Sequence, residues 1–461
     1  MTLIKSISGI RGTIGGIPEE NLTPLDVVRY TSAYGQWLLA NHNTTSLKVV
    51  TGRDARISGA MVHQLVNQTL VGLGLDVITL DLSTTPTVAM AVMWEEAAGG
   101  IIITASHNPK EWNALKLLNN KGEFIDAQSG EDVLRYAQTE NFPYASVDSL
   151  GSISSRDNAL SKHIEATLSL PILEVDKIRE QGFKVVVDAV NSSGGIAIPL
   201  LLEALGAEVI PLYCEPTGHF PHNPEPLKEH LTELARVVVA EQADFGIAVD
   251  PDVDRLVFMD ETGTLFGEEY TLVACADYVL QKTPGTTVSN LSSTRALAEV
   301  SQQHNQSYYA SAVGEVNVVQ LMKAKNAVIG GEGNGGVIYP QLHYGRDALV
   351  GTALFLSLLA KKQLKVSALK KHYPAFFMEK SKLTLSEGIV PEDLLSQLEK
   401  EYQNEKITTV DGLKIDFEAG WVHLRKSNTE PIIRIYTEAN TQETATALAE
   451  EFVQKLKALS V

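Results

Sequence analysis

The sequence predicts an α/β protein: three tandem, related α/β domains with mixed sheets, then a smaller C-terminal α+β domain, with the functional cleft where the four meet. Three observations carry this. The chain has 461 residues, too many for one ordinary core. A weak repeat relates 47–80 (LKVVTGRDAR…LGLDVITL) to 183–212 (FKVVVDAVNSSGG…LGAEVIPL), and a third copy opens at 287–291, before Ser292-Ser293-Thr294. Repeats at this spacing mean tandem α/β units rather than a short-period solenoid. From residue 371 onward the pattern changes, so the last part is not a fourth copy. The boundaries expected are 1–150, 151–256, 257–370 and 371–461.

In chain order, 21–39 reads as a helix with Pro24 in its first turn, where a missing donor costs little. A strand over 47–51, a helix over 58–73 and a strand over 77–80 make a β-α-β unit. The β-branched run 100–104, flanked by glycine, predicts a buried strand, and 114–118 a second one. Linkers are expected at 141–155 and around His372-Tyr373-Pro374. Strands follow at 245–249, 256–259, 327–329 and 337–340, the last two separated by a glycine-rich loop. Toward the C-terminus come strands at 381–385, 413–418, 421–424 and 432–438, and a helix at 391–402. Ala445, Leu448, Ala449, Phe452, Leu456 and Leu459 form one face of a closing helix. Asn440 is its expected N-cap, with Glu443 three residues on.

Composition removes several classes of function. A formal charge of −18 argues against a nucleic-acid partner, which needs a basic face. Cys214 and Cys275 supply neither a disulfide framework nor metal-ligand spacing, which points to a reducing cytoplasm. The N-terminus lacks an apolar leader and the span 349–360 is too short to cross a bilayer, so no membrane partner is expected.

Four stretches carry chemistry. Ala105-Ser106-His107-Asn108-Pro109 ends the 100–104 strand in a tight turn that holds the Ser106 hydroxyl at a strand's carboxyl end, where α/β sheets bind ligands. Lys116 lies on the strand that folds back beside it. Asp250, Asp252 and Asp254 follow the 245–249 strand at i, i+2 and i+4, a spacing that converges three oxygens on a hard cation such as Mg²⁺. With Glu261 they also fill positions of an EF-hand loop, but Arg255 stands where that loop needs glycine and the flanks are strands. In 330–336 (GGEGNGG), glycines admit a ligand close to the backbone while Glu332 and Asn334 offer groups suited to sugar hydroxyls. Finally Arg425, Ser427, Thr429 and Arg434 interleave guanidinium forks with hydroxyls, a cradle for phosphate. Arg11, flanked by glycines in 8–13, is a further candidate.

Together these stretches resemble the α-D-phosphohexomutase superfamily over nearly the whole chain. Its loops read T-A/G-S-H-N-P, D-G-D-A-D-R, G-E-x-S-G-H or G-E-x-S-G-G, and R-x-S-G-T-E-P-x-x-R. Here Pro251 and Val253 depart from the metal wording without removing a ligand. Asn334 replaces a serine, Asn428 a glycine, and Gly336 stands where some members carry a proton-transferring histidine.

The resemblance implies a mutase. Phosphorylated Ser106 donates to a sugar monophosphate; the 1,6-bisphosphate formed, intermediate and activator in one, turns over and returns its other phosphate. Mg²⁺ would sit on Asp250, Asp252, Asp254 and a phosphoserine oxygen. Lys116 is implied in proton transfer or in stabilising the phosphoryl group, Arg11 in charge neutralisation, Arg255 in steadying the metal loop and His107 in orienting the serine loop. Glu332 and Asn334 would bind sugar, and Arg425, Ser427, Asn428, Thr429 and Arg434 the resting phosphate. The partner implied is a small sugar phosphate, the chain monomer or homodimer. The wording G-E-G-N-G-G resembles archaeal-type phosphoglucosamine mutases and so favours glucosamine phosphates, with phosphomannomutase/phosphoglucomutase activity as the alternative. A Mg²⁺-dependent sugar phosphatase has no need of separate sugar and phosphate loops, and intact Ser106 and aspartates argue against an inactive binding protein.

Overall fold

The computed structural model describes residues 1–6, 9–42, 47–386, 389–426 and 431–459. Their strands form four sheets. The first has the order β1-β2-β6-β5-β3-β4-β7, from β1 (Ile4–Ser6), β2 (Gly9–Thr13), β3 (Lys48–Arg53), β4 (Asp76–Leu82), β5 (Gly99–Ile103), β6 (Trp112–Leu118) and β7 (Ile153–Ser155). The second, β11-β10-β8-β9, uses β8 (Lys184–Asp188), β9 (Glu208–Leu212), β10 (Phe245–Val249) and β11 (Leu256–Asp260). The third, β13-β12-β14-β15, uses β12 (Thr287–Asn290), β13 (Tyr308–Ser311), β14 (Ile329–Glu332) and β15 (Gly336–Ile338). The last is antiparallel, β16-β20-β19-β18-β17, from β16 (Phe377–Thr384), β17 (Lys406–Thr408), β18 (Leu413–Asp416), β19 (Gly420–Lys426) and β20 (Ile432–Ala439).

The three α/β sheets share a plan that follows from the repeat. In each, the first strand of the unit lies between two parallel neighbours, and an antiparallel strand is added beyond one of them. Those antiparallel strands are β6, β11 and β15. The β-branched runs on β5, β8 and β10 are buried on both faces, as parallel strands covered by helices must be.

One core spans the second and third sheets. In it Phe258 of β11 stacks on Phe355, ring centroids 3.7 Å apart. Phe355 belongs to the helix Ala348–Lys362, buried from Ala348 to Ala360: the apolar span is a core helix. No described helix is long and apolar enough to cross a membrane. Asp347 caps that helix with one carboxylate oxygen, while the other accepts from Nε2 of His163 (3.0 Å) and His343 (3.2 Å). His163 in turn meets the Thr87 hydroxyl at 2.9 Å, which ties the helix Thr85–Trp94 to the third sheet.

Several expectations shift. The first helix begins at Pro24, not 21, because Thr23 and Asp26 form a capping box and Asn21 bonds instead to the hydroxyls of Thr2 and Thr13. The expected linker 141–155 ends in β7, an exposed strand too short to show alternation, so the boundary after 150 falls inside the first sheet. Likewise the boundary after 256 cuts β11, whose ladder with β10 runs from Leu256 to Asp260. The glycine-rich loop begins later than expected: Gly330, Gly331 and Glu332 pair with β15. Glycine is required there, since a Cβ on Gly331 would lie 1.9 Å from the Gly336 carbonyl oxygen. The closing helix, Gln442–Leu459, is capped by Thr441 rather than Asn440; its hydroxyl accepts from the Thr444 N–H at 3.1 Å. The strand β17 has no counterpart in the sequence reading.

Phe452, wholly buried among Leu398, Ile415 and Ile435, should be the keystone of the C-terminal domain. Phe452→Ala is expected to cost about 3–5 kcal/mol, measured as a lower urea midpoint for the Trp421 signal.

Candidate functional site

The Ser106 loop is built by a buried arginine. Thr104, just past β5, donates its hydroxyl to Asp54 (2.7 Å) and accepts from the Ser106 N–H (2.9 Å). Arg56, itself paired with Asp54, donates to the carbonyls of Ser106 (2.5 Å), Asn108 (2.6 Å), Pro109 (2.7 Å) and Trp112 (3.0 Å). So held, Ser106 adopts φ +48°, a left-handed conformation that a serine rarely takes unaided. Its hydroxyl then donates to Asp250 Oδ2 at 2.6 Å. His107 Nδ1 lies 3.4 Å from that hydroxyl. Burial above all, then Arg255, holds the imidazole well below its ordinary pKa, and hence neutral.

Asp250 opens the metal-type loop. Its Oδ1 accepts the N–H groups of Asp254 and Arg255, both at 3.1 Å. Val253 between them sits at φ +65°, an uncommon conformation for a β-branched residue. Burial, then Asp252 and Asp254, pushes the Asp250 carboxyl well above its usual range. Burial opposes the charge on Asp252 too, but Lys116 and hydrogen bonds from Thr85 and Asp250 together outweigh it and hold that carboxyl low. Lys116 Nζ lies 2.7 Å from Asp252 and 3.4 Å from Asp254. Thr85 donates to Asp252 Oδ2 at 2.5 Å. Oδ1 of Asp252 and Oδ1 of Asp254 are buried without a hydrogen-bond partner, the latter with Arg255 Nε 4.0 Å away. Three converging carboxylates with orphaned oxygens fit a hard cation. Arg255 also reaches Glu225, at 3.2 Å.

The sugar-type loop meets this centre through Arg346. Its guanidinium contacts Asp254 (2.6 Å), Glu332 (2.8 Å) and Glu315 (2.9 Å), and its Cδ fills the space where a Cβ on Gly336 would stand. Glu332 also accepts from Asn290 (2.9 Å) and the Gly314 N–H (3.2 Å). Asn334 is turned inward locally, accepting from the Gly336 N–H at 3.2 Å.

Arg425 and Arg434 face each other across β19 and β20. Like charges directly opposite repel, so the pair favours an anion between or beside them. Asp411 engages Arg425 at 2.8 Å. Arg11 is half-buried, its Nε enclosed without a hydrogen-bond partner, and burial, then Arg434, lowers its pKa. Ser427, Asn428 and Thr429 lie outside the described residues.

Thus the structure brings Ser106, His107, Lys116, the aspartates, Arg255 and Glu332 into one contiguous network, with Arg11 beside Arg434. Sequence reasoning missed Arg56, Arg346, Glu315 and Thr85. One signal was present: the tetrad Gly-Arg-Asp-Ala occurs at 52–55 and again at 345–348, beside both buried arginines.

Comparison with known proteins finds matches over most of the chain. Residues 4–143, 161–263 and 267–376 match the phosphoglucomutase/phosphomannomutase alpha/beta/alpha domains I, II and III, and 381–455 the C-terminal domain. The chain is 35% identical to a phosphoglucomutase/phosphomannomutase of Thermococcus kodakarensis, covering 97% of this chain and 98% of that one. It is 33% identical to a probable phosphoglucosamine mutase of Methanopyrus kandleri, covering 97% and 96%. In fold it is similar to a phosphoglucomutase/phosphomannomutase family protein from Burkholderia thailandensis, with a TM-score of 0.85, 25% identity and 99% and 98% of the two chains covered.

Arg56→Ala should strand Asp54 as a buried, unpaired charge and cost about 3–5 kcal/mol, read as a lower denaturation midpoint. Arg56→Lys keeps the charge but not the fork, and should recover less than half of the loss.

Proposed function

We propose a reaction for this chain from one premise: it belongs to the phosphoglucomutase/phosphomannomutase family. It is a hexose-phosphate mutase, interconverting hexose 6-phosphate and 1-phosphate, with Ser106 as phosphoryl carrier. The observation that carries this assignment is the Ser106 hydroxyl 2.6 Å from Asp250, beside the orphaned oxygens of Asp252 and Asp254.

In one half-reaction the P–Oγ bond of phosphorylated Ser106 breaks, a P–O bond to the sugar hydroxyl forms, and the hydroxyl proton leaves. The second half-reaction, run on the other phosphate of the bisphosphate, restores the phosphoserine and returns a proton, so the cycle conserves both. Mg²⁺ held by Asp250, Asp252 and Asp254 would supply Lewis-acid charge at the transferring group. Lys116, fixed between Asp252 and Asp254, adds positive charge there instead of taking a proton. Arg11, Arg425 and Arg434 grip the phosphate that is not reacting, and Glu332 takes ring hydroxyls. His107 orients the serine loop. The substrate proposed is glucosamine 6-phosphate, on the G-E-G-N-G-G wording of 331–336 and the relative of that name. A reducing cytoplasm suits the free thiols Cys214 and Cys275.

Purified protein should contain a fraction heavier by about 80 Da, one phosphate, and Ser106→Ala should lack both that fraction and turnover. Near-native turnover in Ser106→Ala would overturn the assignment. Asp252→Asn should keep the fold yet lower kcat by at least about 100-fold, and in the parent enzyme chelation should abolish activity that Mg²⁺ then restores.

A further inference from the structure

The carboxylates of this site outnumber the cations. Of the three aspartates, Asp252 and Asp254 face Lys116, so a divalent ion on the triad balances the metal loop. At the sugar loop two further carboxylates, Glu315 and Glu332, share one guanidinium, that of Arg346. Among the described residues no other Lys or Arg ion-pairs with either: nearby Arg255 is engaged by Glu225 and Lys323 by Glu123. One negative charge is therefore left over in a largely buried place.

We propose that Glu315 reads the substituent at C2 of the sugar and favours an ammonium there. This rests on the mutase reading above, in which Glu332 takes ring hydroxyls. Two observations place Glu315 next to that grip. Its carboxylate and that of Glu332 are bound by the same guanidinium, at Nε (2.9 Å) and Nη1 (2.8 Å). The backbone N–H of Gly314, the residue before Glu315, donates directly to Glu332 at 3.2 Å. On glucosamine the C2 ammonium lies among the ring hydroxyls, so a carboxylate flanking the Glu332 grip is placed to meet it. Oε1 of Glu315 has only a long contact, 3.4 Å from the Arg346 N–H, and keeps lone pairs for a ligand. Burial, outweighing Arg346, pushes the Glu315 carboxyl up to about 7, and an ammonium beside it favours the ionised form. A neutral hydroxyl at C2 brings a hydrogen bond but no charge to this surplus.

The test is the ratio of kcat/KM for glucosamine 6-phosphate to that for glucose 6-phosphate, each with its matching bisphosphate, in the parent enzyme and in Glu315→Gln. A fall in that ratio of at least tenfold supports the proposal; a smaller change, including equal loss on both sugars, overturns it. If Glu315→Gln does not fold, the same ratio of binding constants by calorimetry is read on Glu315→Asp, where a shorter carboxylate should narrow the preference at least threefold. Parent enzyme inactive on glucosamine, glucose and mannose phosphates sinks the mutase reading itself, whereas an active parent with an unmoved ratio sinks only the role of Glu315.

Discussion

The buried guanidinium of Arg56 is the constraint on which the rest of the site depends. A serine at φ +48° on a loop without internal regular structure does not hold its place alone. Arg56 gathers four carbonyls of that loop and cancels its own charge on Asp54, which Thr104 also supports. A lysine could satisfy one or two of these acceptors; the planar fork satisfies all of them. Only because the loop is pinned does the Ser106 hydroxyl reach across to Asp250, a residue of another sheet. The first contact between two domains at the reaction centre is thus set from below, by a residue that touches no substrate.

A second theme is that strong charges meet where domains meet. Lys116 from β6 faces aspartates of the second sheet, and Arg346 from the third sheet faces Asp254 as well as its own glutamates. Such pairs lose much of their hydration, so each stands or falls on complete pairing. The imbalance that remains is informative: orphaned oxygens on Asp252 and Asp254 call for a cation, and facing arginines on β19 and β20 call for an anion. The metal site and the phosphate site are legible as unpaid electrostatics before any ligand is considered.

Much of this was readable in the sequence, for definite reasons. Buried parallel strands such as 100–104 announce themselves as β-branched runs, and the serine, aspartate and arginine loops carry spacings that chemistry requires. What stayed hidden was long-range. Arg56 and Arg346 look like surface arginines until the fold brings four carbonyls to one and three carboxylates to the other. The glycines 330 and 331 read as loop because their reason for being glycine is a backbone approach from strands remote in sequence or across a turn. β7 escaped notice because three exposed residues at a sheet edge need no pattern.

The repeat explains why the centre lies where it does. In each α/β sheet the strand order contains the same four-strand unit, β6-β5-β3-β4, β11-β10-β8-β9 and β15-β14-β12-β13. In each, the loop after the unit's first strand supports the functional loop after the neighbouring strand. Beyond β3, Asp54 and Arg56 hold the Ser106 loop. Beyond β8, the hydroxyls of Ser192 and Ser193 both donate to the Pro251 carbonyl of the aspartate loop, at 2.8 Å. Beyond β12, Asn290 holds Glu332, and Ser293 accepts from the Gly333 N–H at 3.0 Å. One structural device, used three times with different side chains, holds the proposed nucleophile, cation cradle and sugar grip. Each supporting loop comes from the same sheet as the functional loop it holds. Bonds between the units, Ser106 to Asp250, Lys116 and Thr85 to Asp252, and Arg346 to Asp254, then join the three functional loops into one centre.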